Sequence, residues 1–130
     1  MPKIKEIWAV FETRGDGKDK DDGISESYKT PDGLILGSNS EWGKTLEFHK
    51  DTTDKGQRFD ISNHGIELRD VKRKVTYHYS MSNDDGWKVA ISIYALCDDG
   101  KEYHLGGDYR EIGNGKANWG SITLGAHIPD

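Results

Sequence analysis

One eleven-residue stretch decides the fold class of this chain: Trp87-Lys88-Val89-Ala90-Ile91-Ser92-Ile93-Tyr94-Ala95-Leu96-Cys97. Its apolar residues recur at every second position, so an extended strand would place one set of them on a single face: Trp87, Val89, Ile91, Ile93, Ala95 and Cys97. A period of two is typical of a β-strand with one buried face. We therefore predict a strand over 87–97, which Asp98-Asp99-Gly100 turns into a hairpin.

The same alternation recurs along the rest of the chain. The segment 74–80 alternates clearly, and further strands are predicted over 4–13, 24–29, 34–37, 45–49, 58–61, 66–68, 102–105 and 119–124. No segment shows a convincing helical period, so we expect no substantial helix. About ten short strands in 130 residues indicate a single all-β domain over residues 1–130. The expected architecture is an antiparallel two-sheet β-sandwich of jelly-roll-like type.

Composition and charge exclude several classes of function. The net charge of −5 argues against nucleic-acid binding, which needs a basic face. No apolar run approaches the roughly 18 residues of a membrane span. The first residues, Met1 to Glu6, lack the apolar core of a signal peptide, so we expect a cytoplasmic protein or one secreted by a signal-less route. Cys97 is the single cysteine, which excludes an internal disulfide and is expected to be a core thiol.

A carboxylate-rich loop follows the first predicted strand. The segment 13–23 reads Thr-Arg-Gly-Asp-Gly-Lys-Asp-Lys-Asp-Asp-Gly and contains four acids: Asp16, Asp19, Asp21 and Asp22. Calcium takes six to eight oxygen ligands from carboxylates and carbonyls on flexible loops, so a bound Ca²⁺ would relieve the repulsion among these acids. The closing Glu and the flanking helices of an EF-hand are missing. The alternative is a solvated hairpin tip, since Asp and Gly are ordinary turn residues.

Strand parity predicts which loops share an end of the sandwich. If successive strands run antiparallel, one end collects the segments 14–23, 38–43, 62–65, 81–86 and 106–118. The acidic loop then lies beside a second polar loop, whose candidate calcium ligands are Asn83, Asp84 and Asp85. The acids expected at the other end are scattered singly or lie in tight turns. The first end is therefore the better candidate cation site.

These residues resemble a known group of domains. The strand end Phe11-Glu12-Thr13, the Asp/Lys-rich loop, and the tip Asn83-Asp84-Asp85-Gly86-Trp87 are similar to calcium-binding β-sandwich modules. The layout resembles PLAT domains and the calcium-dependent phospholipid-binding domains of protein kinase C and synaptotagmin. The resemblance implies one or more Ca²⁺ ions held between loops at one edge of a sandwich that acts in recognition rather than catalysis. Gly15 and Gly17 depart from it, because the densest calcium loops carry more Asp there.

Aromatic residues predicted at the same end suggest a ligand. An aromatic ring can stack on the C–H face of a sugar, while carboxylates, amides or a bound Ca²⁺ pair with its hydroxyls. The candidate ligand-binding residues are Trp42, Glu41, Asp108, Tyr109 and Trp119. Trp42 is predicted to be exposed in a loop. For Trp87 and Trp119, which begin strands, the expected role is to close the end of the core, with ligand contact as the alternative.

The expected function is therefore a calcium-dependent, non-enzymatic recognition module that binds carbohydrate. One alternative is a module that binds a phospholipid surface through the same ions. Another is a structural or toxin-subunit sandwich, because Gly86–Ala90 with Glu102–Leu105 is similar to the small jelly-roll subunit of binary insecticidal toxins. No histidine spacing matches a zinc site, and the scattered glutamates cannot be paired as glycosidase acids from sequence.

Overall fold

A computed structural model describes residues 2–15, 17, 23–42, 49–71, 75–81, 86–113 and 115–125, with the backbone alone for Glu41 and Trp42. Within these residues, nine strands form two antiparallel sheets packed against each other, which confirms the predicted all-β sandwich. The strands are β1 (Ile4–Thr13), β2 (Ile24–Lys29), β3 (Ile35–Trp42), β4 (Thr53–Lys55), β5 (Phe59–Asp60), β6 (Thr76–Met81), β7 (Trp87–Cys97), β8 (Glu102–Ile112) and β9 (Trp119–Thr123).

The first sheet is built around the strand that the sequence identifies most clearly. Its order is β4-β1-β7-β8, and β5 also pairs with β1. Along β7 the alternation is complete, because all six residues predicted to face inward are buried and the residues between them are not. Burial of these apolar side chains stabilises the fold by removing them from water. The prediction for 87–97 is confirmed in both its bounds and its buried face.

The second sheet has the order β3-β2-β6-β9 and covers the first. Aromatic rings fill the space between the sheets. The rings of Phe59, in the first sheet, and Tyr28, in the second, have centroids 5.7 Å apart. The ring centroids of Tyr28 and Tyr77 are 5.1 Å apart. At one edge the sheets approach so closely that a Cβ added to Gly37 would lie 2.7 Å from the Phe59 side chain. The core therefore extends to that edge.

Some predicted strands need correction. The segment 66–68 is not a strand: Glu67 makes an isolated bridge to Lys3, and a 3₁₀ turn follows at Leu68–Asp70. Strand β8 continues to Ile112 rather than stopping at 105, and β3 continues to Trp42. The predicted strand 45–49 lies outside the described residues except for His49, which is not in a strand.

Helical backbone among the described residues is confined to the 3₁₀ turns Ser62–His64 and Leu68–Asp70 and to Val71 beside them. In that same part of the chain, no helix is long and apolar enough to cross a membrane.

The register fixes which connections leave the same end of the sandwich. In the first sheet Thr13 pairs with Val89, and Trp87 pairs with Ile112. In the second sheet Ile24 pairs with both Trp42 and Met81. Four connections between strands therefore start and finish at one end, which we call the loop end: 14–23, 43–52, 82–86 and 113–118. The predicted neighbourhood of 14–23 and 81–86 is confirmed at the level of their flanking strands, although Met81 belongs to β6 rather than to the loop.

Two other predictions about this end are wrong. The turn at 62–65 lies at the opposite end, because Asp60 pairs with Glu6 and Ile61 donates its N–H to the Lys5 carbonyl near the start of β1. Most of 106–118 is not a loop, since β8 runs to Ile112. Gly106 and Gly107 continue the strand, because both residues pair with β7.

Candidate functional site

The proposed calcium ligands lie outside the described residues. This applies to Asp16, Asp19, Asp21 and Asp22 in the first loop and to Asn83, Asp84 and Asp85 in the second. Among the residues that are described, no group of three or more His, Cys, Asp or Glu side chains could hold a metal ion. The calcium site therefore stays a prediction, and its support must come from the strands that flank the two loops.

Those flanking strands are hydrogen-bonded neighbours. At the root of the acidic loop, the Arg14 and Gly15 N–H groups donate to the Lys88 carbonyl, with N–O distances of 2.8 and 3.4 Å. Asp16 directly follows Gly15 in the sequence, and Asp85 lies three residues before Lys88. Both loops therefore begin close to these backbone hydrogen bonds. Arg14 also forms an exposed ion pair with Glu12, 3.3 Å between Nε and Oε1. The acidic loop therefore leaves β1 beside the point where the second polar loop enters β7.

The two tryptophans that begin strands at the loop end have opposite environments. Trp87 is 1% exposed, and its Nε1–H donates to the Thr13 hydroxyl at 3.0 Å, so it closes the core as expected. Trp119 is 72% exposed, on edge strand β9. The expectation that Trp119 would also close the core is wrong. Its large apolar ring is instead available to a ligand at the loop end.

The remaining candidate ligand-binding residues are spread more widely than predicted. Glu41 and Trp42 lie in the last part of β3, so their backbone reaches the loop end in a strand rather than in a loop. Asp108 and Tyr109 lie within β8, opposite Ile91 and Ala90. Tyr109 is 44% exposed, but three residues separate it from the end of β8, a distance of about 10 Å along a strand. The structure brings Trp42 and Trp119 to the same end and leaves Asp108 and Tyr109 on the side of the sandwich.

A cavity of about 210 Å³ opens at the loop end between β7 and β8. Its polar lining residues are Lys88, Glu111 and Lys116, beside the backbone of Gly86 and Gly113. Lys88 and Glu111 are register partners on the two strands. Two lysines and one glutamate line the cavity, so its charged lining is net positive.

Sequence reasoning missed a buried acid in the core. Glu26 of β2 is 3% exposed and lies on the inward face between Ile24 and Tyr28. Its Oε2 accepts a hydrogen bond from Asn39 Nδ2 at 3.3 Å, while its Oε1 has no hydrogen-bond partner. The Tyr77 hydroxyl also lies near this carboxyl group and lowers its pKa, although its geometry falls short of a hydrogen bond. Burial outweighs both groups and raises the pKa of Glu26 to about 7.

Two tyrosines complete this buried polar group. The hydroxyls of Tyr28 and Tyr77 are buried without a hydrogen-bond partner, and burial raises the pKa of both well above the usual value. Both phenols are therefore neutral. The sequence signal for the buried Glu26 is the alternation over residues 24–28, because it places Glu26 on the same strand face as Ile24 and Tyr28.

On the outer face of the first sheet, neighbouring side chains cover Trp8. Trp8 points outward from β1 yet is only 3% exposed, because the Arg58 guanidinium lies 3.7 Å from the centroid of its ring. Arg58 is in turn held by Glu6 and Glu102, with N–O distances of 2.9 and 3.3 Å. Tyr94 stacks on the same ring at a centroid distance of 6.2 Å. The Trp8 ring is therefore covered, and a cavity of about 240 Å³ beside it is lined partly by the charged side chains of Lys55, Arg58 and Glu102.

The other reactive side chains do not form a site in the described part of the chain. Cys97 is buried, and burial with the charges of Asp99 and Asp98 raises the pKa of its thiol to about 11, so the thiolate is disfavoured. His78 and His104 lie on β6 and β8, which belong to different sheets.

Comparison with family models, curated proteins and solved structures found no match. The resemblance to PLAT domains and to the phospholipid-binding domains of protein kinase C and synaptotagmin therefore stays a prediction.

Proposed function

We propose that this chain is a non-enzymatic recognition module that binds carbohydrate at the loop end in a calcium-dependent manner. The observation that carries the proposal is the shared origin of its two polar loops. The first loop follows β1 and the second leads into β7, and these two strands pair at Thr13 and Val89. Seven candidate oxygen-donor side chains therefore belong to loops with a common root. Carboxylate and amide oxygens in this number suit Ca²⁺, which takes six to eight oxygen ligands.

The exposed indole of Trp119 supports a carbohydrate ligand. An aromatic ring with one apolar face and a hydrogen-bonding edge is suited to a ligand that is itself part apolar and part polar. The net charge of −5 favours an uncharged ligand over an anionic bilayer. Trp42, at the end of β3, is the second aromatic residue assigned to this site.

A thermal melt on metal-stripped protein tests the calcium requirement. We expect Ca²⁺ in excess to raise the melting temperature relative to EDTA, because an ion that binds only the folded state stabilises it by mass action. At 100 times the dissociation constant this stabilisation is about 2.7 kcal/mol. The double variant Asp19→Asn/Asp21→Asn should lose the shift.

The matched control is Asp98→Asn/Asp99→Asn, which removes two acids from the hairpin turn at the opposite end. It should keep the full calcium-dependent shift, whatever its own stability. An unchanged melt of the unmodified protein, or an equal loss of the shift in both double variants, would refute the calcium site.

Binding assays in the same two buffers then separate the alternatives. A glycan array that gives signal in Ca²⁺ and loses it in EDTA supports the carbohydrate ligand. Calcium-dependent binding to vesicles with anionic headgroups, without glycan binding, would point to the lipid-surface alternative instead. A calcium shift with neither ligand would favour a structural sandwich.

A further inference from the structure

We infer that the outer face of the second sheet is the binding surface for an extended, uncharged glycan chain. This inference rests on the proposed carbohydrate-binding function and assigns the ligand to a surface of strands rather than to the loops alone. The face is formed by the outward residues of β3, β2, β6 and β9, here called the serine face: Ser25, Ser27, Lys29, Ile35, Ser38, Ser40, Thr76, His78, Ser80, Trp119, Ser121 and Thr123.

The serine face is open. None of its twelve residues is buried, whereas the residues that alternate with them on β2 and β6 point into the core. A shallow groove of about 320 Å³ runs along it, lined among others by Ser27, Lys29, Ser38 and His78. The outer face of the first sheet also has a cavity, of about 240 Å³, but charged side chains of Lys55, Arg58 and Glu102 line it.

Its composition is unusual for this chain. Charged residues make up 32% of the sequence, so twelve residues would carry about four charges, yet Lys29 is the one Asp, Glu, Lys or Arg among them. Burial and the charge of Lys29 lower the pKa of His78, so the imidazole is neutral near neutral pH. Eight of the twelve residues are Ser or Thr. The surface is therefore an array of hydroxyls with little charge.

The register arranges these hydroxyls in rows across the strands. One row contains Ser38, Ser27, His78 and Ser121, and the next contains Ser25, Ser80 and Trp119. Neighbouring strands lie about 4.8 Å apart, so four strands span about 14 Å. A surface of this width exceeds a single sugar ring and suits several consecutive units. Trp119 lies where the serine face meets the loop end, so a chain bound there would also reach the loops.

The chemistry of the face selects its ligand class. Each hydroxyl both donates and accepts hydrogen bonds, which complements the hydroxyls of a sugar. Serine has a short side chain with little rotamer freedom to lose, and it leaves the sheet open to close approach. Protein interfaces are depleted in Ser, and nucleic acid or anionic lipid would need several cations where this face has Lys29. An uncharged polyhydroxylated chain fits best.

The test compares two serine-to-lysine variants. The probes are six-unit neutral oligosaccharides of glucose, mannose, galactose and xylose, titrated by calorimetry in Ca²⁺. Ser27→Lys lays a long side chain across the groove and should weaken binding at least tenfold. The matched control is Ser92→Lys, on the outer face of β7 in the first sheet, which should change binding less than twofold. Trp119→Ala should weaken binding at least tenfold as well.

A second measurement is independent of variant folding. In ¹H–¹⁵N spectra of the unmodified protein, the bound oligosaccharide should shift the amides of Ser27, His78 and Ser121 and leave those of Ser92 and His104 unchanged. Shifts confined to the first sheet or to the loops, or equal affinities for Ser27→Lys and Ser92→Lys, would overturn the inference.

The outcomes distinguish this inference from the proposed function. Loss of binding in Asp19→Asn/Asp21→Asn but not in Ser27→Lys would overturn the serine face and leave the calcium-dependent module standing. Loss in Ser27→Lys with full binding in EDTA would support the serine face and refute the calcium requirement. No binding to any of the four neutral oligosaccharides would refute the serine face, while a calcium-dependent signal from another glycan on the array would leave the proposed function standing.

Discussion

Replacing Glu26 by Gln should change how the stability of this protein depends on pH. The side chain is 3% exposed between the sheets, with one hydrogen bond from Asn39 and one oxygen without a partner. Burial raises its pKa from 4.5 to about 7. A carboxyl group that is easier to protonate in the folded state favours folding at low pH, because the folded protein then binds a proton that the unfolded chain releases.

The sign and size follow from these two pKa values. Below pH 4.5 the carboxyl group is protonated in both states, and its contribution does not change. Between pH 4.5 and 7 the unfolded chain is ionised while the folded state keeps its proton, so the free energy of unfolding falls as pH rises. Above pH 7 the carboxyl group is ionised in both states, and the folded state keeps the full free-energy cost of a buried charge. The pKa values differ by 2.5, and each unit is worth about 1.36 kcal/mol, so the cost is about 3 kcal/mol.

Urea denaturation of the unmodified protein and of Glu26→Gln from pH 4 to 8.5 measures this cost. Gln has the same shape and no charge, so it should unfold with similar free energy at pH 4 and become more stable than the unmodified protein by about 3 kcal/mol at pH 8. Other titrating groups are common to both proteins and cancel in the difference. A difference that stays constant across this range, or that grows in favour of Glu26 as pH rises, would refute the argument.

Two further predictions concern the packing of β7. Ile91 is 1% exposed, so Ile91→Ala should lower the free energy of unfolding by about 2–5 kcal/mol. Ser92→Ala, on the outer face of the same strand, should lower it by less than about 0.5 kcal/mol. Equal losses of stability in urea denaturation would contradict the inward face assigned to β7. Thr13→Val removes the hydroxyl that accepts a hydrogen bond from Trp87 Nε1–H, and it should lower the free energy of unfolding by about 1 kcal/mol. Thr13→Ser keeps this acceptor and should lower the free energy of unfolding by less. The opposite ranking in urea denaturation would contradict a stabilising role for this hydrogen bond.

The sequence determined the fold class and the identity of most strands. The reason is local, because an apolar residue at every second position is enough to predict a strand with one buried face, as in Trp87–Cys97. The bounds of β1, β2 and β7 follow from the same signal together with the turn residues at their ends. Counting strands also predicted that the segments 14–23 and 81–86 share one end of the sandwich. That outcome did not follow from a correct count, because 66–68 is not a strand and because β4 and β5, both antiparallel to β1, run in the same direction.

The tertiary structure decided which face of each strand is covered and which strands are neighbours. Trp87 and Trp119 both begin strands, yet one closes the core and the other is exposed, because Trp87 lies on the inward face of β7 and Trp119 on the outward face of β9. Ser27, His78 and Ser121 are far apart in the sequence and share one row only through the pairing of β2, β6 and β9. Glu26 became a core residue for the same reason: alternation fixes which residues share a face, but only the packing of the two sheets decides which face is buried.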